Sequence, residues 1–182
     1  DALTVASVAQ LTGVWMVAAG EIHHSQYVQK VHPTRLNAFD SGEWGAAGTV
    51  IDDHVAWSNN FQAIKKSKTE SFFKLPEPAN WPWVEIIVNH VQANSKCVDL
   101  LVAAGVQGLV IAGTGNGSIS TELKEGLLRA QSAGVQIRVT SRCNQGPVIE
   151  TESHVFSVSE GLNPFKTRVA LMLDLMSNQQ SH

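Results

Sequence analysis

The sequence predicts an α/β protein whose C-terminal part is a parallel sheet flanked by helices. Three observations predict it. From residue 83 onward, short apolar runs rich in β-branched residues alternate with helical segments, the pattern of parallel βαβ units with right-handed crossovers. One of these runs, residues 106–112, leads into glycines at alternate positions (Gly113, Gly115, Gly117) and then into a helix. Just upstream, Pro76, Pro78 and Pro82 cannot sit inside regular structure and mark a domain boundary.

Taken in order, residues 1–10 read as a helix rich in Ala and Val, with no cap and no initiator methionine, the pattern of an internal segment. Residues 14–19 form a short apolar strand, and 22–30 an extended segment leaving it. His32-Pro33-Thr34 is a helix-start signal with a short turn through Arg35 to Phe39, ended by Asp40-Ser41-Gly42. Residues 48–51 and 54–57 pair as a hairpin over Asp52-Asp53, although the turn lacks the usual glycine. The polar, basic stretch 58–68 is a solvated connector, and 71–75 one more edge strand.

Beyond the prolines, 83–88 is a β-rich run. Asn94 can cap a helix that buries Cys97, Leu101 and Ala104 and stops at Gly105. Residues 107–112 are the next strand, too short and too β-branched for a helix. Ser118 can cap the helix 118–133, with Ile119, Leu123, Leu127 and Ala130 on one face. Residues 135–140 and 155–158 are further strands. Asn163-Pro164 opens the last helix, whose core stripe is Val169, Met172, Leu173 and Met176.

The strand, glycine turn and helix start together form the place where ligands bind in open α/β sheets. Nucleotide motifs fail on spacing. A dinucleotide fingerprint needs a third glycine where Ser118 stands, and a P-loop needs a lysine after Gly117. Two readings stay open from the stretch itself, a tight turn at a polar pocket or a plain connection between strand and helix.

Composition excludes several classes. With 182 residues, 43% hydrophobic and 16% charged, the chain can bury one good core or two small ones. A net charge of −3 gives no basis for a nucleic-acid or anionic-membrane partner. No apolar run approaches a membrane span and no signal peptide is evident. Cys97 and Cys143 lack metal spacing, and as free buried thiols they favour a reducing compartment; a cytoplasmic location is expected, with a periplasmic one left open. His23-His24 has no second ligand pair, so surface or hydrogen-bonded histidines are expected and no metal or other cofactor.

Taken together, several pieces resemble the C-terminal part of bacterial-type L-asparaginases (asparaginase/glutaminase). They are Ala112 through Ser118, Thr140-Ser141-Arg142, Leu162-Asn163-Pro164 with Lys166 and Arg168, Val28-Gln29-Lys30 with Phe39, and Gly45-Ala46-Ala47-Gly48. The resemblance covers essentially the whole chain. It implies the end of a larger N-terminal α/β domain over 1–75, a linker over 76–82 and a smaller C-terminal domain over 83–182.

The activity implied is hydrolysis of the side-chain amide of asparagine, often also glutamine, through a threonine nucleophile and an acyl-enzyme. A second threonine, with an aspartate and a lysine, handles the protons. The small-molecule substrate would be held in a homotetramer built from dimers. Both threonine motifs are missing from these residues, which makes the chain a partial asparaginase, inactive alone. The lysine matches at Lys30, which otherwise reads as an ordinary exposed lysine. Two groups reach across the dimer in such enzymes to hold the substrate's α-amino group. They map to Ser118 and to Glu152, with Glu150 an alternative because the loop varies in length; the plain readings are a helix cap and solvent-facing charges. A rival within the resemblance is the asparaginase-like subunit of a tRNA-dependent amidotransferase. A rival outside it is a non-catalytic amino-acid-binding or oligomerisation domain.

Overall fold

The computed structural model describes residues 1–8, 11–59, 61, 75–159 and 161–179. The chain divides into two compact units, Asp1–Phe72 and Phe73–His182.

In the first unit, helix α1 (Ala2–Ala6) spans only five residues. It has no side-chain cap, and so short an uncapped helix gains little on its own. Of the longer helix expected over 1–10, residues 9 and 10 lie outside the described residues. Strands β1 (Trp15–Ala18) and β2 (Glu21–His24) form an antiparallel hairpin over Ala19 and Gly20, both at positive φ, 50° and 79°. The segment expected to run extended from 22 to 30 is therefore broken. Tyr27 and Val28 donate their N–H groups back to the His24 carbonyl, turning the chain before β3 (Gln29–Lys30).

β3 pairs with β4 (Phe39–Asp40), placing Lys30 opposite Phe39. No helix follows His32-Pro33. Instead the His32 Nδ1 accepts from the N–H groups of Thr34 and Arg35, both at 3.1 Å, and fixes a turn. The hairpin of β5 (Gly48–Ile51) and β6 (His54–Trp57) forms as expected. Asp52 and Asp53 adopt φ of 48° and 60°, the left-handed region that Asp tolerates better than most residues, so no glycine is required. The antiparallel sheet has the order β1-β2-β5-β6. The connector read at 58–68 and the edge strand read at 71–75 fall almost wholly outside the described residues.

The second unit is a parallel sheet of order β10-β9-β8-β7, formed by β7 (Val84–Val88), β8 (Gly108–Gly113), β9 (Gln136–Ser141) and β10 (Ser157–Val158). Helices α2 (Lys96–Ala103), α3 (Thr121–Ser132) and α4 (Pro164–Gln179) complete it. All six residues of β8 are buried, which is why its sequence is a continuous apolar run rather than an alternating one. Leu109 and Ile111 pack in one core with Val98, Leu123, Leu127 and Ala130. Val110 belongs to a second core with Val84 and Leu171. Each large aliphatic side chain buried there contributes about 1.5–3 kcal/mol.

Several sequence expectations are corrected here. Pro78 opens a single 3-10 turn, Pro78–Asn80, a first position where its missing N–H has no role. On α2 Val98 is fully buried and Leu101, as expected, packs against the same core with Val102, while Cys97 and Ala104 are exposed. The close approach of α2 to Gly126 of α3 sets that face: a Cβ at Gly126 would lie 2.5 Å from the Ser95 Cβ. Both cysteines are free but exposed, not buried. The residues that α4 buries most deeply are Thr167, Leu171 and Met176, with Met172 and Leu175 partly covered; Val169 is 47% exposed. His23 and His24 are buried, and the His23 Nδ1 lies 3.0 Å from the Ser41 hydroxyl.

Candidate functional site

The carboxyl ends of β7, β8 and β9 converge on one polar cluster, centred on the buried Asn89 immediately after β7. Its amide nitrogen donates to the Ser118 carbonyl at 3.1 Å, and its Oδ1 accepts the N–H of Ser120 at 3.1 Å. The Ser120 hydroxyl in turn donates to the Ala93 carbonyl at 2.8 Å. These bonds hold the segment 118–120 ahead of the helix, so α3 starts at Thr121. Ser118 is therefore not the helix cap that the sequence suggested. At the end of β9, the Ser141 hydroxyl donates to the Gly115 carbonyl at 2.7 Å, and the N–H of the next residue, Arg142, donates to the Gly113 carbonyl at 2.9 Å.

The glycine turn itself is a closed loop. Thr114 and Ser118 exchange backbone hydrogen bonds of 3.0 and 2.8 Å. Gly115 and Gly117 sit at φ of 51° and 81°, where a side chain would be strained. Asn116, at the tip, engages the backbone of Ile149 at both ends of its amide. Its Nδ2 donates to the Ile149 carbonyl at 2.9 Å, and its Oδ1 accepts the Ile149 N–H at 2.7 Å. The His154 ring lies 3.0 Å from the Asn116 carbonyl through Nε2. Between turn and loop lies a cleft of about 260 Å³, lined by Ser118, Lys124, Ser153 and His154 over an apolar floor that includes Val139 and Phe156.

Ser118 is exposed, and among the described residues its hydroxyl has no hydrogen-bond partner. Glu150 and Glu152 are likewise exposed on the loop, and neither carboxylate is paired among the described residues. The fold thus brings Ser118 together with the segment that carries Glu152. Lys30 belongs to the other unit, where it is exposed on β3 with its ammonium 5.9 Å from the centre of the Phe39 ring, within cation–π range. In the second unit, burial lowers the Lys166 ammonium from 10.5 to about 8.

Sequence reasoning missed Asn89 and His154 and gave Asn116 no role of its own. Asn89 stands alone after a strand, and His154 is a single histidine in a polar loop, so neither belongs to a pattern. A polar residue at the carboxyl end of a buried parallel strand was the one available signal for Asn89.

Residues 83–182 match the glutaminase/asparaginase C-terminal domain and residues 1–63 the asparaginase N-terminal domain. The L-asparaginase 2 of Bacillus subtilis (strain 168) is 32% identical over 166 residues, covering 90% of this chain and 44% of that protein. The glutaminase-asparaginase of Pseudomonas fluorescens biotype A is 29% identical over 175 residues, covering 93% and 48%. The chain spans less than half the length of both these curated relatives. The crystal structure of a probable cytoplasmic L-asparaginase from Campylobacter jejuni superposes with a TM-score of 0.81 at 28% identity, covering 96% of this chain and 58% of that one. Two family domains matched in order, on a fold shared with a solved asparaginase, establish that the chain belongs to the bacterial-type asparaginase/glutaminase family.

Proposed function

We propose that these residues form part of an amidohydrolase that converts L-asparagine, and also L-glutamine, to the acid and ammonia. The observation that carries the proposal is the match to both family domains, supported by relatives named for one or both activities. The two substrates differ by one methylene, worth about 1–3 kcal/mol of discrimination, which small differences in pocket shape decide. The proposed organisation is an N-terminal-domain portion over 1–75, a linker over 76–82 and the C-terminal domain over 83–182.

In this reading a threonine outside the 182 residues attacks the side-chain amide carbon, ammonia leaves, and water hydrolyses the acyl-enzyme. Lys30 belongs to the proton-handling group of its own subunit. Ser118 and Glu152, with Glu150 as the alternative carboxylate, serve the neighbouring subunit's site in a homotetramer built from dimers. There the carboxylate pairs with the substrate's α-ammonium and the Ser118 hydroxyl accepts a hydrogen bond from it. The unpaired state of both groups and the cleft beside them support this assignment. No cofactor, nucleic acid or membrane enters the scheme, and a cytoplasmic location is proposed with it.

Subunit mixing tests the arrangement. In the complete enzyme, Lys30→Met lowers turnover by about 10²–10⁴-fold, and Glu152→Ala weakens productive substrate binding. Mixing the two variants restores part of the activity, because a hybrid dimer regains one site with both groups intact. No recovery, after subunit exchange has been confirmed by native mass spectrometry, would refute the cross-subunit role. The 182 residues alone release no ammonia from asparagine; turnover by them alone would refute a nucleophile lying elsewhere.

A further inference from the structure

We propose that Asn116 and His154 are positioning residues that fasten the 149–154 segment, and both candidate carboxylates on it, to the Ser118 turn. The proposal rests on the reading of Ser118 and Glu152 (or Glu150) as groups that hold the substrate. Three hydrogen bonds cross from turn to loop, and all three end on Asn116. Its side chain holds Ile149 at the start of the segment, and its carbonyl holds His154 at the end. Glu150 and Glu152 lie between those two anchors with no bonded contact of their own among the described residues. The anchors therefore set where the carboxylates stand.

The chemistry of His154 fixes the direction of its bond. The N–H of Thr151 approaches the ring Nδ1 at 3.0 Å, and a backbone N–H can only donate. Nδ1 is therefore the unprotonated nitrogen, the ring proton sits on Nε2, and Nε2–H donates to the Asn116 carbonyl. The Thr151 hydroxyl, 3.0 Å from Nδ1 and 2.8 Å from the Ser153 hydroxyl, closes the segment on itself. Gly117 makes the approach possible. A Cβ there would meet the Val139 Cγ1 at 3.1 Å and the His154 Nε2 at 3.4 Å. One imidazole thus shapes the loop with one nitrogen and docks it with the other.

Two substitutions separate these jobs. His154→Asn can place its carbonyl oxygen near Nδ1, keeping the Thr151 contact while losing the donor to Asn116. His154→Gln can place its amide nitrogen near Nε2, keeping the docking bond. In the complete enzyme, His154→Asn and Asn116→Ala should raise KM for asparagine by about three- to tenfold, with kcat within about twofold of the parent. His154→Gln should stay near the parent KM. In the complete enzyme, amide exchange at Ile149 should also quicken in His154→Asn while β8 keeps its protection. Equal effects of Asn and Gln, or loss of kcat at unchanged KM, would overturn the positioning role. A Glu150→Gln/Glu152→Gln double variant tells this failure from failure of the underlying reading. If it raises KM and His154→Asn does not, the clamp is wrong and the reading stands. If the double variant leaves KM unchanged, the loop carries no substrate group and the proposal falls with the reading.

Discussion

Replacing Gly113 by alanine tests how tightly the glycine turn is built. A Cβ on Gly113 would lie 2.6 Å from the carbonyl carbon of Gly117, 2.7 Å from its Cα and 2.8 Å from its oxygen. All three are backbone atoms, so no side chain can swing aside. Gly113 is also not among the residues at positive φ, so the cost is steric rather than conformational. Reaching ordinary contact requires the two backbones to part by roughly 1 Å. That movement pulls on the paired bonds of 3.0 and 2.8 Å between Thr114 and Ser118. Overpacking of this kind costs about 1–3 kcal/mol, and a broken hydrogen bond adds about 1 kcal/mol. The restricted unfolded chain returns only about 0.4–1 kcal/mol. The net loss is thus about 1–4 kcal/mol. Residue-resolved amide exchange in the 182-residue chain reads it, as faster exchange at β8 and at Ser118. Gly115→Ala is the control. Its Cβ meets nothing within 4 Å, and its φ of 51° leaves only left-handed strain, about 1–2 kcal/mol. Gly113→Ala with Ser118 still protected would refute the close approach of the two backbones.

Gly126→Ala places a Cβ 2.5 Å from the Ser95 Cβ and 3.1 Å from its Cα. It should destabilise by about 1–3 kcal/mol, against a helix-propensity gain of up to about 1 kcal/mol, and a rise in the urea midpoint followed by circular dichroism would refute the contact. Thr140→Val removes the 2.7 Å hydroxyl bond to the Leu162 carbonyl, which keeps the Thr167 hydroxyl at 3.2 Å. The loss should be near 1 kcal/mol, and one of several kcal/mol in the same titration would show that Thr167 does not compensate. Lys166, lowered from 10.5 to about 8, binds its proton less readily folded than unfolded. Its destabilising contribution is therefore full below pH 8 and is relieved as pH rises toward 10.5. The stability difference between the parent and Lys166→Met should shift in favour of the parent across that window. A pH-independent difference would refute the desolvation of Lys166.

Where an element's core face is set by its own sequence, it was legible. β8 is a run of six buried residues, and the stripe Leu123, Leu127, Ala130 on α3 faces the core as its spacing requires. The hairpin over Asp52-Asp53 was readable from two short runs on either side of a two-residue polar turn. Where a neighbouring element sets the face, the reading slipped by a residue or two. On α2 it is Val98 and not Cys97 that enters the core, because Gly126 admits Ser95 and Val98 closely. On α4, Leu171 packs with Val84 and Val110, while Val169 remains outside. The Ala19-Gly20 hairpin escaped because alanine at positive φ carries no sequence signal.

The turn and the loop of the candidate site were legible in the sequence, but the bonds that join them were not. Ser118 carried two competing readings, helix cap and ligand acceptor, and a hydroxyl that caps a helix is held against a backbone N–H rather than turned toward a ligand. The structure shows why the first is not needed. Asn89 supplies the acceptor for the Ser120 N–H and the donor for the Ser118 carbonyl, so the helix entrance is satisfied without the Ser118 side chain. Asn116 and His154 do the same for the loop, meeting its polar groups from outside the two glutamates. Buried or pinned amides and one imidazole thus absorb the backbone's hydrogen-bonding demands on both sides of the cleft. The Ser118 hydroxyl and the Glu150 and Glu152 carboxylates are left exposed and, among the described residues, unpaired, as the proposed role in holding substrate requires.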